Sequence, residues 1–510
     1  MNKIAKATIG LMIAMMIAKL LGFVREMVLA SSYGASMYSD AYLVSMNIPL
    51  VILNIIGMAL STILIPMYCE INKNHGDKQA LKFINNIINI VIVICIILSI
   101  IGIIFTEPIV KLFAIGFKGN TFKVAVDFTR VLLISMTFTA LSYIMTAYLQ
   151  IKNNFTIPGL ISVPKNIIII ISIIISVKYN PYIMIWGTLI GILSELLFQL
   201  PFAIKENYKY EFYINIKDDF IKKSILLSIP VLIGVSVNQI NTMVDRTLAS
   251  TLTEGSISAL NYANKLTGFV WTLFITSISS VIYPMLSKLV TEDNKEEFKQ
   301  FIKKSVNSII ILVLPISIGA IVLANPIVKL LFQRGAFDSN ATNMTAIALA
   351  MYSIGMLGSG LRELLGKVFY SLKDTKTPMI NGMISMVINI LLNLILIKYL
   401  KIVGLAISTS IAFIICAIML FISLNKKIGY FEQDKIIITF LKSMVASFIM
   451  GITVYFIYNK LIILRLSEFI CLIISIFMGV IVYGILLIAF KVDEINLLKD
   501  IFKQKINRFS

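Results

Sequence analysis

Lys19, Arg25 and Glu26 stand inside the first long apolar stretch of this chain, and Lys265 stands inside a later one, Leu260-Asn-Tyr-Ala-Asn-Lys-Leu266. An ionised side chain in a membrane span costs about 3 kcal/mol or more and is retained where it meets a partner or a cavity. Lys19 and Glu26 are seven residues apart and share one helix face, with Gly22 between them to allow close approach or a kink. Two cations against one nearby acid leave an excess of positive charge. Arginine grips phosphate oxygens as a fork, and lysine meets them as a point charge. Lys19, Arg25 and Lys265 together suit an anionic ligand, with phosphate or pyrophosphate the natural candidate. A simple cation exporter would instead need intramembrane carboxylates in excess. The structural alternative is a set of long side chains that reach for the interface or fix packing.

Other charges could support such a site or couple it to an ion. Asp245 and Arg246 repeat the acid-beside-arginine pattern of the first span, Glu26 aligning with Asp245. Lys265 aligns with Met46 (265 − 219 = 46), so the pattern is broken there, as an asymmetric ligand would require. Asp40 opens the second span, either as its N-cap or as a partner for Arg25. Arg362, Glu363 and Lys367 lie in the tenth span, the last two four apart in the order that favours a helical ion pair. The supporting or coupling candidates are therefore Glu26, Asp40, Asp245, Arg246, Arg362 and Glu363, with Glu195 a further acid able to couple a counter-moving cation.

The elements that must hold these residues are membrane helices. The 510 residues are 58% hydrophobic with mean hydropathy +0.92, and only 14% are charged, against about 25% in soluble domains. Apolar blocks of about 20 residues recur throughout, the length needed to cross a bilayer as a helix. The pattern predicts an all-α polytopic membrane protein with about fourteen spans, near 8–30, 41–68, 84–105, 124–150, 158–177, 183–204, 225–252, 257–286, 305–323, 341–371, 378–399, 403–424, 438–457 and 464–490.

The chain also repeats itself. Glu107-Pro-Ile-Val-Lys-Leu-Phe113 returns as Asn325-Pro-Ile-Val-Lys-Leu-Leu331, an offset of 326 − 108 = 218. Leu64-Ile-Pro-Met-Tyr68 answers Ile282-Tyr-Pro-Met-Leu286, Leu29-Ala-Ser31 answers Leu248-Ala-Ser250, and Tyr148–Pro158 answers Tyr370–Pro378. Six spans per repeat is an even number, so the halves share one orientation. The expected organisation is a six-helix lobe over 1–215, a second over 216–430, and two extra helices with a tail over 431–510, the lobes enclosing a central cavity.

Lysine-rich segments at the N-terminus, 70–82, 205–223, 288–304, 426–435 and the tail all fall on one face under this count, which places both termini in the cytoplasm. The net charge of +19 is then a positive-inside signal with attraction to anionic bilayer lipid, and needs no nucleic acid. Residues 107–123 and 325–340 read as the same short amphipathic helix at the outer interface. Four scattered cysteines and the single His75 argue against a metal site, and no nucleotide-binding or nucleophile motif is present, so neither cofactor nor enzymatic activity is expected.

Leu20-Leu-Gly-Phe-Val-Arg-Glu-Met27, Tyr33-Gly-Ala-Ser36, Ser39-Asp-Ala-Tyr42 and Ile48-Pro49 resemble the N-terminal signature of the MurJ (MviN) lipid II flippases. Tyr262-Ala-Asn-Lys-Leu266, Tyr283-Pro-Met-Leu-Ser287, Gln333-Arg-Gly-Ala-Phe-Asp338, Arg362-Glu-Leu-Leu365 and Phe369-Tyr-Ser-Leu-Lys-Asp-Thr-Lys-Thr-Pro378 continue it. The resemblance runs from residue 1 to about 430. It implies a member of the multidrug/oligosaccharidyl-lipid/polysaccharide exporter superfamily, in the bacterial cytoplasmic membrane. It also implies movement of undecaprenyl-pyrophosphate-linked disaccharide-pentapeptide to the outer leaflet for cell-wall synthesis, and contact with the cell-wall machinery. Carried over by position, the cavity cations are Lys19, Arg25 and Lys265, and the two final spans receive the lipid tail. The sequence departs from the family where lysine replaces the usual arginine at 19 and 265, Glu26 replaces aspartate, and Asn264 replaces the usual acid. An arginine pair that some members carry after Pro49 is absent.

Three other readings share some of these features. A flippase for another polyprenyl-linked glycan has the same fold. A cation-coupled drug antiporter takes a cationic cargo, which the positive site disfavours. A non-transporting scaffold would tolerate neutral residues at Lys19, Arg25 and Lys265. The energy source is either the inside-negative potential, which drives negative charge outward, or a counter-ion.

Overall fold

The computed structural model describes residues 3–492 and Glu494, with side chains given outside 3–13, 55–56, 58–62 and 225–238. Every regular element described is a helix. In lipid a backbone without internal hydrogen bonds costs several kcal/mol per group, so apolar blocks of this length fold as helices. Two compact units emerge, Met1–Ser258 with Arg334–Asp338, and Ala259–Gln333 with Ser339–Ser510.

The first unit contains α1 (Lys3–Tyr33), α2 (Met37–His75), α3 (Asp77–Ile104), α4 (Thr106–Phe113), α5 (Gly119–Leu133), α6 (Ser135–Ile151), α7 (Thr156–Leu160), α8 (Ser162–Lys178), α9 (Tyr182–Lys205) and α10 (Asp219–Ala249). Helix α1 lies along α7 and α8, and α8 lies along α9. The α8–α9 contact is close because Gly187 has no side chain: a Cβ there would sit 2.0 Å from that of Ser172. The segment after α9 is tied to α3 by three buried asparagines. Asn85 donates to the Lys209 carbonyl, Asn86 to that of Asn215, and Asn89 to that of Tyr213.

Helix α11 (Ser256–Val270) begins in the first unit and continues into the second. A π-helical stretch, Trp271–Thr276, leads into α12 (Ser277–Thr291). There follow α13 (Lys295–Val322), α14 (Ala324–Phe332), α15 (Ser339–Ile354), α16 (Met356–Ser371), α17 (Lys376–Leu400), α18 (Ile402–Ile428), α19 (Gln433–Ile463) and α20 (Glu468–Ala489). The second unit's core joins Ile302, Ile309 and Val313 of α13 to Leu364, Leu365 and Phe369 of α16 and Leu424 of α18.

Among the described residues, nine helical stretches and the two bent pairs α5–α6 and α15–α16 are long and apolar enough to cross a membrane. Helices α1, α2 and α10, which contain the stretches without described side chains, are 31, 39 and 31 residues long. At about 1.5 Å per residue each exceeds the bilayer core. These fourteen correspond one for one with the predicted spans. The duplication is visible in the element order. The bends fall at equivalent places, 42° between α5 and α6 and 43° between α15 and α16. The short helices expected at 107–123 and 325–340 are α4 and α14, of eight and nine residues.

Candidate functional site

Helix α1 turns Arg25 toward α8, with Glu26 beside it. The Arg25 side chain is 15% exposed and that of Glu26 4%, with Nη2 2.7 Å from Oε1. The other arm of the guanidinium donates to Asn166 Oδ1 at 3.2 Å. Arg25 is thus held from two sides, and one of them is its own neighbour in sequence. Lys19, two turns earlier, is exposed and has no hydrogen bond or ion pair among the described residues. Lys19 and Arg25 line one cavity of about 510 Å³, with Gly22, Gln150, Lys165 and Asn166.

Lys165 is a residue that the sequence reading missed. Its ammonium lies 2.6 Å from Glu195 Oε1 of α9, whose side chain is 8% exposed. Its signal was a lysine deep in the fifth span, with an acid in the sixth. The cavity wall therefore carries three cations, Lys19, Arg25 and Lys165, and two of these are matched by carboxylates on the described helices.

Asp40 neither caps its own helix nor meets Arg25. The N-cap of α2 is Ser36. The Asp40 carboxylate instead accepts from Gly255 N at 2.7 Å, Ser258 N at 2.8 Å and Ser258 Oγ at 2.5 Å, at the start of α11. Glu254 returns the favour, accepting from Met37 N at the start of α2 at 2.6 Å. A carboxylate suits a helix N-terminus because the first N–H groups have no partner within the helix. Beside this exchange, Ala336 N donates to the Ser31 carbonyl at 2.8 Å. Gly335, at φ +58°, passes so close that a Cβ would sit 2.2 Å from that same oxygen. Arg246 donates to the Leu43 carbonyl at 3.0 Å, and Asp245 beside it is half-buried on α10.

In the second unit, Lys265 is exposed on α11. Arg362 of α16 lies over the Phe413 ring at 5.6 Å. Glu363 and Lys367 form the helical pair expected from their spacing, at 3.7 Å. These three line a cavity of about 550 Å³ with Asn264, Trp271 and Tyr352. A separate apolar groove of about 620 Å³ runs between α13, α16, α18 and α19, with Ile310, Leu314, Leu357, Ile414, Phe440 and Phe448 on its walls. Of the hairpin at 438–490, only α19 contributes to that lining among the described residues.

Outside the spans, the turn between α16 and α17 is fixed by Asp374. Lys427 donates to its carboxylate at 2.5 Å and Thr377 N at 3.0 Å. The Lys427 ammonium first, then the Thr377 amide, pulls this carboxyl down to about 2.

A duplicated all-helical membrane unit with cations on an embedded cavity wall defines the class: a polytopic membrane transporter. The family described as "Lipid II flippase MurJ" matches residues 29–487, and the chain belongs to it. A probable lipid II flippase MurJ of Buchnera aphidicola subsp. Baizongia pistaciae is 31% identical, over 80% of this chain and 81% of its own length. The lipid II flippase MurJ of Burkholderia cenocepacia is 25% identical over 81% and 82%. Among solved structures, a lipid II flippase MurJ in an inward closed conformation is similar with a TM-score of 0.81 and 29% identity, covering 95% of this chain and 99% of that one. An inward-facing multidrug resistance MATE family transporter of the MOP superfamily shares the fold, with a TM-score of 0.68 at 16% identity over 84% and 99%.

Proposed function

We propose that this chain flips lipid II from the cytoplasmic to the outer leaflet of the bacterial cytoplasmic membrane by alternating access. The observation that carries the reading is the cavity of Lys19 and Arg25 in a chain that belongs to the lipid II flippase family. Arg25 takes the diphosphate as a fork and Lys19 as a point charge. In the second unit, taken by itself, Lys265 is the cation that the second repeat adds, and the cavity around Arg362, Glu363 and Tyr352 offers polar surface. The polyprenyl tail stays in lipid, with the groove between α13 and α19 as its apolar seat. Both termini lie in the cytoplasm, as the lysine-rich segments require. The repeats act as lobes over 1–215 and 216–430, with 431–510 appended. The inside-negative potential favours outward movement of the negative head group by about 2.3 kcal/mol per charge per 100 mV. The cell-wall synthesis machinery consumes the flipped product.

The test is a bacterium depleted of its own lipid II flippase and supplied with this gene. Growth with normal shape is the expected outcome. A well-expressed, membrane-inserted protein that fails to support growth, but supports a strain lacking a different glycan-lipid flippase, would move the substrate to that glycan.

A further inference from the structure

Lys165 stands on the wall between two cavities of the first unit. On one side is the cavity with Lys19 and Arg25. On the other is a space of about 250 Å³ lined by Pro49, Thr139, Ser142, Tyr143 and Glu195. Lys165 borders both, and Glu195 borders only the second. In this structure the ammonium is turned to Glu195 at 2.6 Å.

The ion pair is not demanded by the helix packing. Counting from Pro158 and Pro378, Lys165 corresponds to Ser385 (385 − 165 = 220). Counting from Gly187 and Gly404, Glu195 corresponds to Ala412 (412 − 195 = 217). In the second repeat Ser385 Oγ donates to the Ala412 carbonyl at 2.7 Å. A hydroxyl and a backbone oxygen therefore make the same helix-to-helix contact that the first repeat makes with a buried carboxylate and a half-buried ammonium. Burying a pair costs desolvation that its attraction barely repays, so the pair is poor evidence for stability. A function explains it better.

We propose that Lys165 and Glu195 form an exchange site that couples head-group binding to uptake of one proton; this rests on the lipid II reading above. When a diphosphate enters beside Arg25, two negative charges compete with one carboxylate for the Lys165 ammonium. The lysine's four-carbon stem lets it turn from one cavity to the other. Glu195 is then left in a membrane-embedded wall without its counter-charge, and it binds a proton from cavity water in its place. The other charged or titratable groups within reach of Glu195 are Arg25 of α1, which is held by Glu26, and Tyr143 of α6. The Gln199 amide is engaged with the Glu195 backbone carbonyl and with Ser142, and the α2 lining residues Met46, Pro49, Leu50 and Leu53 are uncharged. Among the described residues lining that smaller space, Lys165 carries the one ammonium.

The experiment measures lipid II affinity of the purified full-length protein against pH from 6 to 8. The probe's diphosphate is a diester and keeps its charge throughout this range. One proton taken up per ligand makes binding tighter as pH falls, by up to about tenfold per pH unit. Glu195→Gln keeps a hydrogen-bonding partner for Lys165 but takes no proton, and its affinity is expected to be flat with pH. Lys165→Gln is expected to bind about tenfold more weakly and also without a slope. A wild-type profile that is flat, or a slope that persists in Glu195→Gln, overturns the proposal while leaving the flippase reading intact. A Lys165→Gln protein that melts earlier yet binds like wild type assigns the pair to packing alone and also overturns it. Failure of the wild type to bind lipid II at any pH overturns the flippase reading and this inference with it.

Discussion

Replacing Arg25 by alanine removes an anion ligand and, at the same time, the counter-charge of Glu26. The two effects separate because Glu26 is only 3% exposed and sits 2.7 Å from the guanidinium. Breaking a buried pair from one side costs about 3–5 kcal/mol. The lost bond to Asn166 adds about 1 kcal/mol. Arg25→Ala is therefore expected to melt clearly earlier than wild type. Adding Glu26→Gln removes the carboxylate's charge and is expected to recover part of that stability. Transport behaves differently. Loss of a charge-assisted contact to the diphosphate costs about 2–5 kcal/mol, or at least ~30-fold in affinity. That loss persists in the double variant, because the cavity still lacks its arginine. Melting curves of both purified variants, paired with lipid II flipping in liposomes, read the two effects independently. Recovery of both stability and flipping in the double variant would refute the reasoning, for then Arg25 serves only to neutralise Glu26.

Three further outcomes follow from the same geometry. Asp374→Asn is expected to lower the melting temperature at neutral pH. The folded carboxyl titrates near 2, below its ordinary value of 3.8, so its stabilisation is full above about pH 4 and fades as pH falls toward 2. The gap between variant and wild type should therefore close over that interval; a gap unchanged with pH would contradict it. Gly335→Ala is expected to destabilise by about 1–3 kcal/mol, since the residue sits at φ +58° and its new Cβ meets the Ser31 carbonyl. A melting temperature equal to wild type would show that the loop relaxes freely. Asp40→Ala leaves Gly255 N and Ser258 N without their acceptor, while Ser258 Oγ keeps Ser39 Oγ at 2.8 Å, and should cost about 2–4 kcal/mol, whereas Asp40→Asn, which keeps acceptor oxygen, should cost less. Equal losses in the two variants would mean that the charge, not the capping, matters.

The span pattern, the duplication and the short outer helices were legible because they depend on local composition and on periodicity that survives in sequence. The Arg25–Glu26 and Glu363–Lys367 pairs were legible for the same reason, being one and four residues apart. What stayed hidden was long-range. Asp40 was expected at its own helix start or beside Arg25, yet its partners lie more than 200 residues on, at the start of α11. No spacing rule reaches so far. The cap of α2 is Ser36, four residues before Asp40 and at the end of a Gly-Ala-Ser run. Lys165 escaped notice because a single lysine in an isoleucine-rich span reads as a snorkelling charge until Glu195 of the neighbouring helix is seen 2.6 Å away. The bends at 134 and 355 carry no proline, and only the second has a breaker residue at all, Gly355.

The most direct test of the central claim is lipid II movement in liposomes holding only this protein. Labelled lipid II is loaded in one leaflet, and its arrival in the other is read by a quencher that cannot cross the bilayer. Movement is expected with the wild type, and loss of it in a protein with Lys19→Gln and Arg25→Gln together that still inserts and folds. Movement in that double variant at the wild-type rate would contradict the cationic cavity, and absence of movement in a well-folded wild type under an applied inside-negative potential would contradict the flippase reading itself.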